Sequence, residues 1–192
     1  MKKERLVSFT DAILAIIMTI LILDLKEPSS LTLSGLWALR NSYFAYTLSF
    51  FWLGTMWVGL HNEWQYVKRI SPAVVWCNLF LLFWTSFFPY VTKIVSEHFY
   101  NKTAQVMYGI AVILTTLCNL LLSFLIKKEN DNKNLNQMIE YHLKWLWIDF
   151  LVKIVGLVIA LTIYPPAMMD SVLITAGLIA IPAHLLETRF FK

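Results

Sequence analysis

Residues 5–24 read RLVSFTDAILAIIMTILILD, and this stretch decides the fold. A helix needs about 20 mostly apolar residues to cross the hydrocarbon core of a bilayer. The run between Asp11 and Asp24 is almost wholly apolar, and Ser8 or Thr10 can cap the start of a helix there. Asp11 also suits the positive end of a helix dipole. No signal-peptide cleavage site follows, so we expect this segment to be a retained membrane helix.

The composition of the 192 residues supports the same class. Hydrophobic residues make up 58% and charged residues 15%, whereas soluble chains carry about 25% charged residues. A soluble globule is therefore excluded. Cys77 and Cys118 lie in apolar runs without CxxC spacing, so neither a disulfide framework nor a zinc or other metal site is predicted. The net charge of +4 comes from residues spread over the ends of apolar segments, so nucleic-acid binding is not expected.

Six apolar stretches along the chain are long enough to span a membrane. They predict an all-α, polytopic membrane protein with six transmembrane helices in a single domain over residues 1–192. Lys127 to Gln137 is the one segment predicted as a polar loop, and Pro89 predicts a kink in the third span. The predicted spans are Leu6 to Leu25, Tyr43 to His61, Ala73 to Val95, Ala104 to Ile126, Leu143 to Ile163 and Ala167 to Leu186.

Basic residues are unevenly distributed between the two ends of these spans. If the N-terminus is cytoplasmic, eleven of them fall on the cytoplasmic side and four on the outer side. The positive-inside rule then predicts a multi-pass protein of the cell membrane with both termini in the cytoplasm. The inner set is Lys2, Lys3, Arg5, Lys68, Arg69, Lys127, Lys128, Lys133, Lys144, Arg189 and Lys192; the outer set is Lys26, Arg40, Lys93 and Lys102.

The start of the first span carries a short motif. Arg5, Phe9, Thr10 and Asp11 read Arg-x-x-x-Phe-Thr-Asp. This spacing resembles the Arg-x-x-x-Phe-Ser-Asp signature that opens the first helix of the endosomal/lysosomal potassium channels (transmembrane protein 175) and their prokaryotic relatives. Thr10 keeps the hydroxyl of the usual serine, so the departure is mild.

The likeness covers nearly the whole chain. Residues 57–61, WVGLH, are similar to the Trp- and His-bearing end of the family's second helix. Asn78 and residues 87–90, FFPY, are similar to an Asn and a Pro-aromatic position of its third helix. A six-helix unit of this size matches one prokaryotic subunit, whereas the animal protein has two such units fused.

The resemblance implies a potassium channel without the TVGYG carbonyl filter, and this sequence contains no TVGYG. It also implies a homotetramer in which the first helix of each subunit lines a central pore. By position from the motif, Ile16 matches the family's hydrophobic constriction and Thr19 its pore-facing hydroxyl, which bears on selectivity. We expect a structural network that fixes the pore helix, formed by Arg5, Phe9, Thr10, Asp11, Trp57, His61 and Asn78.

Helical periodicity is an independent check on this assignment. At about 100° per residue, one stripe contains Ala12, Ile16, Thr19, Ile20 and Leu23, while Asp11 points away from it. Ile16, Ile20 and Leu23 would form an apolar neck that gates by dewetting. Such a stripe also fits packing or lipid contact, and a membrane threonine often bonds its own backbone. Only the resemblance to the channel family favours a pore-lining role for this stripe over packing or lipid contact.

The two ends of the stripe carry charge. Asp24 or Glu27 would form an acidic outer mouth that concentrates cations, with Glu27 on the stripe if the helix reaches that far. Arg5 also falls on the stripe, although it precedes the apolar run and its direction is open. Elsewhere, Glu63 is interpreted as interfacial. Asp149 and Lys153 are four residues apart and are expected to form a neutralising pair.

Two classes of function compete. The preferred one is a modestly potassium-selective cation channel that conducts passively, needs no cofactor and has potassium ions and membrane lipid as partners. The alternative is a proton-coupled secondary transporter that uses Asp11, His61, Asp149 and Lys153. An enzyme is not expected, because HExxH and GxSxG motifs are absent.

Overall fold

The computed structural model describes residues 2–130 and 133–177, and all regular secondary structure in these residues is helical. The all-α prediction is therefore confirmed. The helices are α1 (Lys3–Leu23), α2 (Leu33–Ala38), α3 (Arg40–Tyr66), α4 (Pro72–Ser86), α5 (Phe88–Glu97), α6 (Lys102–Glu129), α7 (Lys133–Thr162) and α8 (Ala167–Gly177).

Four stretches of the described chain are both long and apolar enough to cross a membrane: Lys3–Leu23, Pro72–Glu97, Lys102–Glu129 and Leu135–Thr162. They coincide with the first, third, fourth and fifth predicted spans. The second predicted span lies within α3, whose 27 residues extend about 40 Å but include more polar side chains. The sixth, Ala167 to Leu186, begins with α8, and its positions 178–186 lie outside the described residues.

The third span bends where the proline predicts. α4 ends at Ser86 and α5 begins at Phe88, with Pro89 in its first turn. Proline lacks an N–H and its ring clashes with the carbonyl four residues earlier, so a continuous helix is disfavoured at this point. Trp52 of α3 stacks on Phe88 with ring centroids 5.0 Å apart, which fills the space beside the bend.

The segment from Lys127 to Gln137 is mostly helical, so the prediction of a polar loop there is wrong. α6 continues to Glu129 and α7 already begins at Lys133. Leu135 lies in this stretch and Ile139 just after it, and both are fully buried, so the apolar face that α7 packs against the bundle begins within the polar stretch. Most residues of the segment are polar, so the helical spacing of Leu135 and Ile139 is not evident from the sequence.

The outside of the bundle is apolar as well as the inside. The large side chains Phe51, Phe80, Phe124 and Leu151 are all more than half exposed, and they lie on α3, α4, α6 and α7. A surface of this kind is stable in hydrocarbon and unstable in water. The structure thus supports the membrane class that the composition predicts.

The turn between α7 and α8 brings these helices into close contact at Gly156. A Cβ atom built there would lie 2.4 Å from the Ser171 side chain and 3.0 Å from the backbone oxygen of Ala167. A methyl group at this position has no room unless the two helices separate. Gly54, in the middle of α3, would meet only a Met18 side-chain atom at 3.6 Å.

We predict that Gly156→Ala lowers the thermal unfolding temperature of the purified protein, because overpacking costs roughly 1–3 kcal/mol. Gly54→Ala is the matched control. It should leave that temperature unchanged or raise it, since alanine favours helix by about 1 kcal/mol over glycine. Equal behaviour of the two variants would show that α7 and α8 are not in the contact described.

Candidate pore helix and its polar anchors

α1 has one face that packs against the other helices and one that does not. The packed residues recur every three or four positions, as expected for one side of a helix. They contact α3, α4 and α5. The buried residues of α1 are Leu6, Thr10, Leu14, Ile17 and Leu21.

The stripe predicted to line a pore lies on the exposed side of α1. Ile16 is 57% exposed and Leu23 79%, and Ile20 and Thr19 are exposed as well. Helical rotation places Ile16 about 80° to 160° away from the buried residues. Within one subunit this apolar stripe is therefore free to face lipid or another chain.

Two hydrogen bonds hold α1 to its neighbours near its N-terminal end. The indole Nε1 of Trp57 on α3 donates to Asp11 Oδ1 at 2.8 Å. The amide Nδ2 of Asn78 on α4 donates to the Thr10 hydroxyl at 2.7 Å, and that hydroxyl donates to the Leu6 carbonyl at 2.9 Å. These bonds attach adjacent residues of α1 to two different helices, so they fix its rotation.

Other members of the expected network take different positions. The His61 ring packs against Trp57, with centroids 5.5 Å apart, and so supports the indole rather than Asp11 itself. Arg5 and Phe9 are exposed. Because α1 already begins at Lys3, both lie on the helical face that carries Ile16.

The Thr19 hydroxyl bonds its own helix. It donates to the carbonyl oxygens of Ala15 and Ile16, each at 2.9 Å. This is the ordinary behaviour of a threonine in a membrane helix. The hydroxyl proton is used in this way, and the oxygen lone pairs are left for the exposed side.

The C-terminal end of α1 differs from the predicted acidic stripe. The helix ends at Leu23, so Glu27 lies beyond it and does not continue the stripe. Asp24 is the C-cap residue, and its carboxylate accepts from Lys93 Nζ of α5 at 3.2 Å. Lys26 and Glu97 form a second pair beside it at 3.3 Å.

The position of Glu63 at the end of the second span suggests an interfacial residue. The structure shows instead that Glu63 is buried. The residue is 1% exposed, and the Ser123 hydroxyl of α6 reaches its two carboxylate oxygens at 2.8 and 3.0 Å. Nδ1 of His142 on α7 contacts the same carboxylate. The interfacial interpretation is wrong because α6 and α7 present two polar partners at this depth.

The neutralising pair predicted from sequence spacing is present in the bundle interior. Lys153 Nζ donates to Asp149 Oδ2 at 2.5 Å and to the Thr116 hydroxyl at 3.0 Å. The ammonium also lies 4.4 Å from the centre of the Trp52 ring, a cation–π contact. In the described residues Asp149 and Lys153 contact neither Asp11 nor His61, so the groups invoked for proton transport form two separate sets.

Sequence reasoning missed a polar seam between α6 and α7. It consists of Thr116, Asn119 and Ser123 on α6 and His142, Asp149 and Lys153 on α7. Within each helix these residues are spaced by three or four positions, except for the seven positions between His142 and Asp149. This period was the available signal, because it places the polar residues of each span on one face. No group of His, Cys, Asp and Glu in the described residues is arranged to hold a metal ion.

The fold and the anchored N-terminal helix define an all-helical integral membrane protein. The family model of the endosomal/lysosomal potassium channel TMEM175 matches residues 5–89, which include most of α1 and its anchors. A potassium channel of Chryseobacterium sp. is 33% identical over 145 residues, which are 75% of this chain and 76% of that protein. The chain therefore belongs to the TMEM175 potassium channel family, and the resemblance seen in the Arg5 motif is confirmed.

Other relatives agree with this assignment. A potassium channel of Streptomyces collinus is 33% identical over 121 residues, 59% of each chain. The crystal structure of a lysosomal potassium-selective channel TMEM175 homolog from Chamaesiphon minutus superposes with a TM-score of 0.73 and 21% identity. The match covers 97% of both chains and establishes the common fold.

A double-mutant cycle measures the anchor of α1. We expect Asp11→Ala and Trp57→Phe each to lower the free energy of unfolding, with a coupling energy of about 1 kcal/mol, because the bond lies at the surface of the bundle. Asp24→Ala combined with Trp57→Phe is the control pair and should be additive, since these residues do not touch. Additivity in both cycles would show that the Asp11–Trp57 bond does not fasten α1.

Proposed function

We propose that this protein is the subunit of a homotetrameric, modestly selective potassium channel in the cell membrane, with α1 lining the central pore. It conducts potassium ions passively and uses no cofactor. Six spans per subunit and cytoplasmic termini complete the proposal. α3 and α8 would supply the second and sixth spans, and the distribution of basic residues supports the orientation.

The observation that carries this proposal is the orientation of α1. Its polar anchors Thr10 and Asp11 contact the rest of the subunit, and its apolar stripe faces outward. Four copies around an axis would bring the Ile16 side chains together as a narrow apolar neck. Water leaves such a neck when it is tight, so the neck acts as the gate. Ile20 and Leu23 extend the apolar lining outward.

Thr19 supports a modest selectivity. It lies about 4.5 Å further along the helix axis than Ile16. Because its proton is donated to backbone carbonyls, its oxygen can face a cation and replace part of the hydration shell. A ring of hydroxyl oxygens is a weaker ligand field than a stack of carbonyls, so selectivity would be lower than in TVGYG channels.

The outer mouth would be less acidic than the sequence suggests. Asp24 is paired with Lys93, which offsets its attraction for cations. Glu27 is exposed beyond the helix end and is the better candidate for concentrating cations there. Arg5 lies on the pore-facing side at the inner end, where its charge would oppose a high local cation concentration.

Substitution of the neck tests the proposal. Ile16→Asn should wet the constriction and raise potassium efflux from loaded proteoliposomes by roughly tenfold or more, which corresponds to about 1.4 kcal/mol of barrier. The physical reason is that an amide holds water where isoleucine excludes it.

Ile22→Asn is the matched control, because Ile22 is also exposed on α1 but about 120° around the helix from Ile16. A buried position such as Leu14 is unsuitable, since a polar residue there would disturb folding. Similar efflux from the Ile16 and Ile22 variants, at equal amounts of reconstituted protein, would remove α1 from the pore.

A further inference from the structure

A small cavity lies inside the subunit where α3, α6 and α7 meet. Its volume is about 30 Å³, and its polar lining includes Thr55, Thr116, Asn119, His142 and Asp149. A cavity needs at least about 10–15 Å³ of this kind of space to hold a water molecule. There is thus room for a water molecule between these three helices.

Two acceptors in this lining have no partner among the described residues. They are Asn119 Oδ1 and Asp149 Oδ1, and both residues are only 2% exposed. A buried acceptor without a hydrogen bond is costly, and the cost is greater for a carboxylate oxygen. Both oxygens need a donor, and one water molecule has two O–H groups to offer.

We infer that the cavity binds an ordered water that bridges Asn119 of α6 to Asp149 of α7. The water donates one O–H to each Oδ1 atom. It thereby satisfies the second oxygen of a carboxylate whose first oxygen is already held by Lys153 and Thr116. The ion pair is then hydrogen-bonded on both sides, which is the condition for keeping a buried pair in a bundle.

The charges around the cavity favour water over a bound cation. The Lys153 ammonium already neutralises Asp149 and also contacts the Trp52 ring. A metal cation on Oδ1 would share that carboxylate with the ammonium in a medium of low dielectric constant, where like charges repel strongly. On α3 the nearest acidic group, Glu63, is occupied by Ser123 and His142.

A crystal structure of the wild-type channel grown in thallium, an anomalous scatterer that substitutes for potassium, tests this inference. The map must be sharp enough to show waters on exposed carbonyls. We expect a peak within hydrogen-bonding distance of both Oδ1 atoms and no anomalous signal on it. An empty cavity in such a map, a direct contact between Asn119 and Asp149, or an anomalous peak would each overturn the inference.

A variant pair gives a second readout in solution. Asn119→Leu keeps the side-chain volume but removes one acceptor, so it should expel the water and leave Asp149 Oδ1 unpaired. We expect the ratio of folded to unfolded protein to fall by about tenfold or more. Thr115→Val is the control, because Thr115 is buried on the same helix with an unpartnered hydroxyl that does not line the cavity.

The control should be neutral or stabilising, since it removes an unsatisfied polar group. If Asn119→Leu is as stable as Thr115→Val, the bridging role is wrong. If the leucine variant does not fold at all, the wild-type map alone decides. Neither result bears on conduction through α1, so this inference and the proposed function fail separately.

Discussion

The rotation of α1 about its own axis is the constraint on which the rest of this structure depends. Trp57 and Asn78 reach it from two helices and bind the adjacent residues Asp11 and Thr10. In a membrane, the hydrophobic effect does not favour one rotation of a helix over another, because lipid tails are as apolar as leucine. Side-chain packing and hydrogen bonds therefore determine the rotation of the helix. A turn of one residue, about 100°, would break both bonds and would direct a different set of side chains outward. The side that carries Ile16 is outward for this reason.

α3, the helix that carries Trp57, is itself held by polar contacts on another of its faces. α3 presents Trp57 toward α1 and Glu63 toward α6 and α7, where the carboxylate meets Ser123 and His142. Further along the same seam Lys153 and Asp149 pair with full burial. Buried charges of this kind are costly unless every polar atom is satisfied, and losing one partner is strongly destabilising. The rest of the helical bundle is therefore held by specific polar contacts as well as by apolar packing, and α1 is anchored to it.

Much of this arrangement is readable from sequence, and the limits have physical causes. The stripe through Ile16 follows from helical period alone, and the Arg5 motif identifies the family. Three features cannot be predicted from the local sequence. The polar composition of Lys127 to Gln137 masks the buried Leu135, which lies one helical turn before the buried Ile139 in α7. The environment of Glu63 depends on side chains of α6 and α7 that are distant in the sequence. The residues around Glu63 therefore cannot predict it. α2 is short and depends on the Thr32 side chain accepting from the Gly35 N–H.

We propose that this helical bundle conducts potassium passively along α1. The reversal potential of the purified wild-type protein in a planar bilayer, with potassium salt on one side and sodium salt on the other, tests this proposal. We expect single-channel steps whose reversal potential is displaced toward the potassium equilibrium potential. The absence of steps, together with potassium uptake into liposomes only when a proton gradient is imposed, would contradict it.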